Sequence, residues 1–484
     1  MLYLLLILLP LVMAAACFVL RRQAGLTIAL GVATAVVQMA LVALVPLDEL
    51  VRMLGLNVTL DALSRLFLLL FLCVSVVAFL VTAQVPHGEQ FIPVTLVTLS
   101  LMHAVLLLQQ EPFTVALLLV SAGVIAVLAI VDMPTGSSGL VGRAVIATAL
   151  KYLVLMAVAG VMMYMGFVLI SIYEPGEAPG RVSPAHLTLA LLVVGFGLRL
   201  AIVPFHSWLP DLAEHAAPMV SVLVVAVINT ACLLFLIQAW QIFPNIVFEN
   251  EAGFVILRVI SAGTALIASF LALSQQNMRR LIGLLLVYNA GNLLFGLASG
   301  SAQGVAGALF EALNQVLAVA VLFISVALLE RPDGRASNVQ RHDLLWRWPV
   351  ASVGLIGGGL ALLGLPPMSG FVGKMMLYEA AVSSGGAYLV ALLVATGFAT
   401  LAVVRLARDR LFGPTEDSAG TERVALLGAT DLDYPAERRL EREPRLLAFL
   451  TVGLLALSIA VCVQPQPLLA TIDALVRDMP FLKG

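Results

Sequence analysis

The chain has 484 residues, 61% hydrophobic and only 11% charged, with a formal net charge of −2 and a mean hydropathy of +1.07. Soluble domains carry about 25% charged residues, so an ordinary soluble protein is excluded, and nothing in the charge balance suits nucleic acid. The apolar runs are continuous rather than alternating, which excludes a membrane β-barrel and leaves an all-α polytopic membrane protein.

The first run, Leu2 to Leu20, is followed by Arg21 and Arg22 without an A-x-A-like cleavage site, and reads as a retained membrane helix. About 14 spans are predicted, at roughly 2–20, 26–45, 62–82, 92–109, 113–131, 143–171, 186–204, 217–239, 254–274, 281–299, 303–328, 349–383, 386–406 and 446–464. Between spans two and three, Leu47 to Leu60 mixes charged and β-branched residues and reads as an interfacial segment or a pair of short strands. Arginines cluster in alternate loops: Arg21 and Arg22; Arg279 and Arg280; Arg331, Arg335, Arg341 and Arg347; Arg405, Arg408 and Arg410, then Arg423, Arg438, Arg439, Arg442 and Arg445. The other loops hold few, such as Arg52, Arg181 and Arg477. The positive-inside rule then places both termini outside. Two inside loops are long and charged, Glu330 to Arg347 and Arg408 to Arg445, the second reading as a linker or docking surface.

Two spans are interrupted. Span seven breaks over Pro204 to Pro210, and span twelve over Pro366, Pro367 and Gly370. Paired interrupted helices point to inverted repeats with a site at the bilayer midplane. The predicted organisation is N-terminal helices 1–4 with the outer segment 47–60 in 1–112, a first repeat in 113–239, a second in 254–406, and a cytoplasmic linker with the last helix in 407–484.

Ionisable groups inside a membrane are functional-site candidates. Here they are Lys151, Arg199, Glu311 and Lys374, joined by His206 in the first break and by Asn229, Asn289, Asn314 and Gln315. His103 reads as a packing residue. Lysine is rare: Lys151, Lys374 and Lys483 are the only three among 26 basic residues. A desolvated Lys can lose its proton, whereas Arg cannot. The cysteines Cys17, Cys73, Cys232 and Cys462 stand singly in apolar runs, with neither metal spacing nor a disulfide pattern. No metal, cofactor or redox chemistry is expected of this chain itself.

Several segments together carry a resemblance: Leu60–Phe67 (LDALSRLF), Ala149–Tyr152 (ALKY), Gly195–Arg199 (GFGLR) running into Pro204–Asp211 (PFHSWLPD), Met278–Leu281 (MRRL), Leu313–Gln315 (LNQ) and Pro366–Lys374 (PPMSGFVGK). The chain resembles the antiporter-like membrane-arm subunits of respiratory complex I (NADH-quinone oxidoreductase subunit M/N type), related to subunits of Mrp antiporters and membrane-bound hydrogenases. That resemblance implies 14 helices with two inverted five-helix repeats, other membrane subunits of a respiratory or hydrogenase-type complex as partners, and a hydrated polar axis across the midplane. It also implies a non-catalytic subunit of a redox-driven ion pump.

Position by position the axis departs from the family. The span-five Glu falls at Val120 or Ser121, and the span-seven Lys is Arg199. The span-eight Lys or His is Asn229, and the span-ten His is Asn289. The span-eleven His positions are Glu311 and Gln315, and the nearby Lys is Val319. Lys374 is unchanged, and Lys151 matches at the edge of the axis. Glu311 is the carboxylate left to neutralise either Arg199 or Lys374. Two readings follow: a subunit with a degenerate proton path and a mainly structural or coupling role, or a conducting proton or Na+/H+ channel subunit.

Overall fold

In the computed structural model the described residues are 2–482, apart from 54, 86, 109, 133–141, 173–183, 245–250, 331–343, 412–442 and 478. Most of both long charged loops, with Arg181, therefore lies outside the described residues. Among those described, eleven helices are long and apolar enough to cross a membrane, and three shorter apolar helices accompany them. Together they make fourteen spans, as expected, and the chain is an integral membrane protein.

The order begins with α1 (Leu2–Val19) and α2 (Ala24–Leu44), then a hairpin of β1 (Val51–Met53) and β2 (Leu56–Val58). The hairpin is antiparallel, with Val51 opposite Val58 and Met53 opposite Leu56. Leu47–Leu60 thus takes the strand option. Helices α3 (Ala62–Thr82), α4 (Phe91–Leu107), α5 (Pro112–Val131) and α6 (Arg143–Ile172) follow. The ends are set by ordinary capping chemistry: Asp61 accepts from the Ser64 amide at 3.0 Å, and Pro112 opens α5 where an N–H would have no partner.

Helix α7 (Pro184–Arg199) ends at Arg199. Ala201 then takes a positive φ of 59°, the Val203–Pro204 peptide is cis, and a 3-10 turn covers Phe205–Ser207. Helix α8 (Trp208–His215) resumes the span. Backbone groups freed at membrane depth must be bonded by protein. Here the Trp208 indole N–H donates to the Leu198 carbonyl at 2.9 Å, and the Val203 amide donates to Thr264 Oγ1 at 3.2 Å. Pro210 needs correction: it lies inside α8, not in the break. As the third residue of that helix it loses no intrahelical bond, because first-turn N–H groups have no partner anyway.

Span eight is α9 (Pro218–Val222), a π-helical stretch at Leu223–Asn229, and α10 (Thr230–Ile242). Next come α11 (Glu251–Ser274), α12 (Met278–Ala298), α13 (Ala302–Leu329) and the single turn α14 (Leu344–Arg347). Asn277 caps α12 by accepting from the Arg279 amide at 2.9 Å, and Ser301 caps α13 by accepting from Gly304 at 3.1 Å. In α13 and span eight the most apolar stretch is wholly buried on every face, so the two form the centre of the bundle.

Span twelve is α15 (Pro349–Leu363) and α16 (Gly370–Ser384). Gly364 closes α15 in the left-handed region with φ 73°, and the Leu365 amide donates back to Leu360 O at 3.0 Å, a Schellman-type end. The Pro366–Pro367 peptide is cis. Gly370 also needs correction: it is the first residue of α16, so the break is Gly364–Ser369. Helices α17 (Gly386–Leu406), α18 (Arg445–Val463) and α19 (Gln466–Arg477) complete the chain. Helix α19 buries Ile472 and Val476, and Phe481 beyond it packs edge-on to Trp240 at 5.9 Å.

No side chain of its own caps α15; Glu443, from the far end of the chain, does. Its Oε1 accepts from the Val350 and Ala351 amides at 2.9 and 3.2 Å. Burial pushes the Glu443 carboxyl above its ordinary 4.5, and the two amides pull it back less. A raised carboxyl means the folded state holds its proton more tightly. Its stabilising contribution is therefore complete below about pH 4.5 and is lost as pH rises through the folded value. The expected result is that Glu443→Gln, which keeps an acceptor, flattens the fall in thermal midpoint of the purified protein over that window. Glu443→Ala removes the cap at a cost of about 0.5–2 kcal/mol. Parallel pH curves for Gln and wild type would count against this.

Candidate functional site: a buried ion pair at the second break

Lys374, one turn into α16, is 1% exposed and cannot reach water. Its ammonium donates to Asn289 Oδ1 at 2.8 Å, stands 3.8 Å from Glu311 Oε1, and lies 4.7 Å over the Tyr288 ring. Two glycines make the room. A Cβ on Gly364 would lie 1.9 Å from Lys374 Cγ, and one on Gly373 would lie 3.1 Å from Glu311 Oε2. Of the two cations that Glu311 could neutralise, the structure gives it Lys374.

A hydrogen-bonded line extends from the pair in both directions. On one side Asn289 Nδ2 donates to Gln315 Oε1 at 2.9 Å. On the other, Asn314 Nδ2 donates to Glu311 Oε1 at 3.2 Å and to the Ala361 carbonyl at 2.9 Å. Ser369 Oγ donates to Asn314 Oδ1 at 2.7 Å, and the hydroxyls of Ser369 and Ser458 are 2.9 Å apart. Glu311 Oε2 is buried with no partner. Beside the pair, the hydroxyls of Tyr288 and Tyr378 both meet Thr396 Oγ1 at 2.7 Å.

Beyond Gln315 the line meets a small cavity lined by Asn229, Thr230, Leu200, Leu209, Leu293 and Gln315, with about 20 Å³ of room for a water centre. About 10–15 Å³ is enough for one water. Asn229 ends the π-helical stretch, and its Oδ1 is buried without a partner. Asn229, Thr230 and Gln315 are the polar side chains lining it.

Arg199 lies apart from this line. It is fully buried, and one Nη donates to the Leu119 carbonyl at 2.7 Å. Nε and the other Nη have no partner, and among the described residues no carboxylate lies within ion-pair distance of it. Its neighbours are Tyr152 and Cys232. Neither position expected to align with a family Glu faces it as an anion: Val120 packs on Gly160, and Ser121 is half-buried, its hydroxyl on the Leu117 carbonyl.

Lys151 and His206 belong to a third group, at the end of the first break. Lys151 donates to Asp211 Oδ2 at 2.7 Å and to the Ser207 carbonyl at 3.2 Å. Arg280 pairs with Asp211 at 3.3 Å and Glu214 at 2.9 Å, and Arg279 pairs with Glu330. His206 is half-buried near Lys151 and Asp211, with Nδ1 unpartnered. His103, by contrast, bonds Leu99 O of its own helix at 2.6 Å.

Of the candidate residues, then, Lys374, Glu311, Asn289 and Gln315 come together, Asn229 stands across a cavity, and Arg199, Lys151 and His206 stand elsewhere. Asp211, Ser369, Ser458 and Tyr288 were not singled out from the sequence. Asp211 was within reach as the acid that closes PFHSWLPD, seven residues past Pro204, and Ser369 as part of PPMSGFVGK, whereas Ser458 carries no signal in an apolar run.

A fourteen-span bundle with two interrupted helices and an ion pair buried at one break defines an antiporter-like membrane protein. The chain belongs to the NADH:quinone oxidoreductase/Mrp antiporter transmembrane family, whose model matches residues 142–400. It is 30% identical over 252 residues to NADH-quinone oxidoreductase subunit N 2 of Solidesulfovibrio magneticus, covering 52% of each chain. It is 28% identical to subunit N of Hirschia baltica, covering 59% of this chain and 62% of that one. The chain spans about half to three-fifths of the length of these curated relatives. Among solved structures, a chain of the Mrp complex from Dietzia superposes with TM-score 0.84 at 18% identity, over 99% of this chain and 97% of that one. A chain of respiratory complex I from Thermus thermophilus superposes with TM-score 0.72 at 20% identity, over 96% and 98%. At such identities these two likenesses speak to the fold alone.

Proposed function

We propose that this chain is a membrane-arm subunit of a complex I-like proton-translocating oxidoreductase, with an interrupted proton path of its own and a coupling role. Its partners would be the neighbouring membrane subunits. Its two breaks would stand at corresponding places of two inverted repeats, and both termini would lie outside. The observation that carries the reading is the contrast between the two buried cations. Lys374 has a carboxylate at 3.8 Å and can hand a proton to it. Arg199 has no carboxylate within ion-pair distance among the described residues and keeps its proton in any protein environment. Asn229, Asn289 and Gln315 between them do not titrate. A proton can thus be held at Lys374–Glu311 without a titratable route through the first half.

One observation favours the second reading, a conducting proton or Na+/H+ channel: the water-sized cavity joining Asn229 to Gln315. The test is the number of protons moved per electron by the reconstituted parent complex carrying Lys374→Met together with Glu311→Gln, which removes both charges without stranding either. An unchanged ratio with assembly intact is expected; a reduced ratio would establish conduction and overturn the proposal.

A further inference from the structure

Serines and threonines in these helices mostly bond the carbonyl four residues back. Thr34, Ser75, Thr98, Ser261, Ser325 and Thr451 all do so, Thr451 to Leu447 O at 2.9 Å on the same helix α18 that carries Ser458. Ser458 reaches across instead. Its Oγ accepts from the Ser369 amide at 3.2 Å, a group freed by the second break, and lies 2.9 Å from Ser369 Oγ.

The directions of these bonds are fixed. The Ala361 carbonyl can only accept, which fixes the Nδ2 side of Asn314 toward it and toward Glu311, whose ionised carboxylate accepts likewise. That turns Oδ1 toward Ser369, whose one hydroxyl hydrogen it takes. With that hydrogen used, the Ser458 hydroxyl must be the donor within the serine pair. The side-chain donors thus run in series from the Ser458 hydroxyl through the Ser369 hydroxyl to the Asn314 amide and Glu311, while the Ser369 backbone N–H donates the other way, to Ser458 Oγ. All four side chains are at least 97% buried, so no solvent competes.

We infer that Ser458 is a positioning residue for Glu311, acting through Ser369 and Asn314. This rests on the reading of Glu311 as the proton-holding partner of Lys374. The other groups facing Glu311 are Lys374, Tyr288 and Tyr378. None of them lies on α18. Removing the Ser458 hydroxyl frees Ser369 to rotate, and the Asn314 amide then loses the bond that fixes its orientation. Donors to a carboxylate favour its charged form, so Glu311 should bind its proton more tightly.

The experiment is an infrared pH titration of the complex purified through a tag on this chain, with the Glu311 carboxyl band identified by its loss in Glu311→Gln. Ser458→Ala is expected to shift the band and raise the proton affinity about two- to tenfold, the range of one hydrogen bond. Ser369→Ala should move it the same way, the double variant no further than Ser369→Ala alone, and Ser458→Thr should restore it. A band that moves in Ser369→Ala but stays put in Ser458→Ala would overturn the inference, as would additive shifts in the double variant. If no pH-dependent band is lost in Glu311→Gln, the underlying reading of Glu311 fails instead. Ser458→Ala lowering the thermal midpoint with the band unmoved would mark Ser458 as packing alone.

Discussion

Lys374→Ala alone is expected to destabilise the protein by about 3–5 kcal/mol, because it strands a carboxylate that has no water to turn to. Glu311 is fully buried, and its Oε2 already lacks a partner. Adding Glu311→Gln to Lys374→Met should recover most of that loss. Gln keeps the oxygen that accepts from Asn314, and Met fills the Lys stem. Buried pairs replaced as a unit by neutral groups of similar volume are often neutral or stabilising. Unfolding of the purified complex by denaturant, followed by proteolysis of this chain, measures both. Equal losses in the single and double variants would show that the two charges do not compensate each other. The single variant should also recover in acid, which supplies Glu311 with the proton that Lys374 no longer balances.

Gly364→Ala is expected to be strongly damaging for a change of one carbon atom. At φ 73° an L side chain is strained, by about 1–2 kcal/mol. The new Cβ would also fall 1.9 Å from Lys374 Cγ, and overpacking of this kind costs about 1–3 kcal/mol. The clash falls on the stem of the working side chain, so relief comes only by drawing the ammonium away from Asn289 and Glu311. A shift of the Glu311 carboxyl infrared band should accompany the loss of stability. Gly397→Ala is the control: it sits in α17 with nothing within 4 Å and normal helical backbone. There alanine should be neutral or stabilising by about 0.5–1 kcal/mol. If Gly364→Ala behaves like Gly397→Ala, the fit around the Lys374 stem is loose.

The fold was legible because the spans are apolar runs and each break carries prolines set among polar residues or glycine, unlike the lone Pro10 inside α1. The hairpin at Val51–Val58 was half legible, as β-branched residues among charges. The edges of the breaks were misplaced because a Pro or Gly in a first turn reads the same as one in a loop: Pro210 and Gly370 both sit inside helices. Within the site, the sequence supplied the candidates but not their partners. Glu311 and Lys374 lie on different helices, and only packing decides that Glu311 faces Lys374 and not Arg199. Ser458 was invisible because a hydroxyl in a helix normally satisfies itself locally. The π-helical stretch ending at Asn229 leaves no mark in a uniformly apolar run.

Helix α12 joins two groups treated separately above. Its first turn carries Arg280, held by Asp211 and Glu214 at the end of the first break. Nine residues on it carries Asn289, which receives the Lys374 ammonium. At 1.5 Å per residue that is about 14 Å of rod, capped at its start and enclosed on all sides. A movement of the first break that kept the Arg280 pairs would therefore meet, through one rod without a joint, the oxygen on which Lys374 rests.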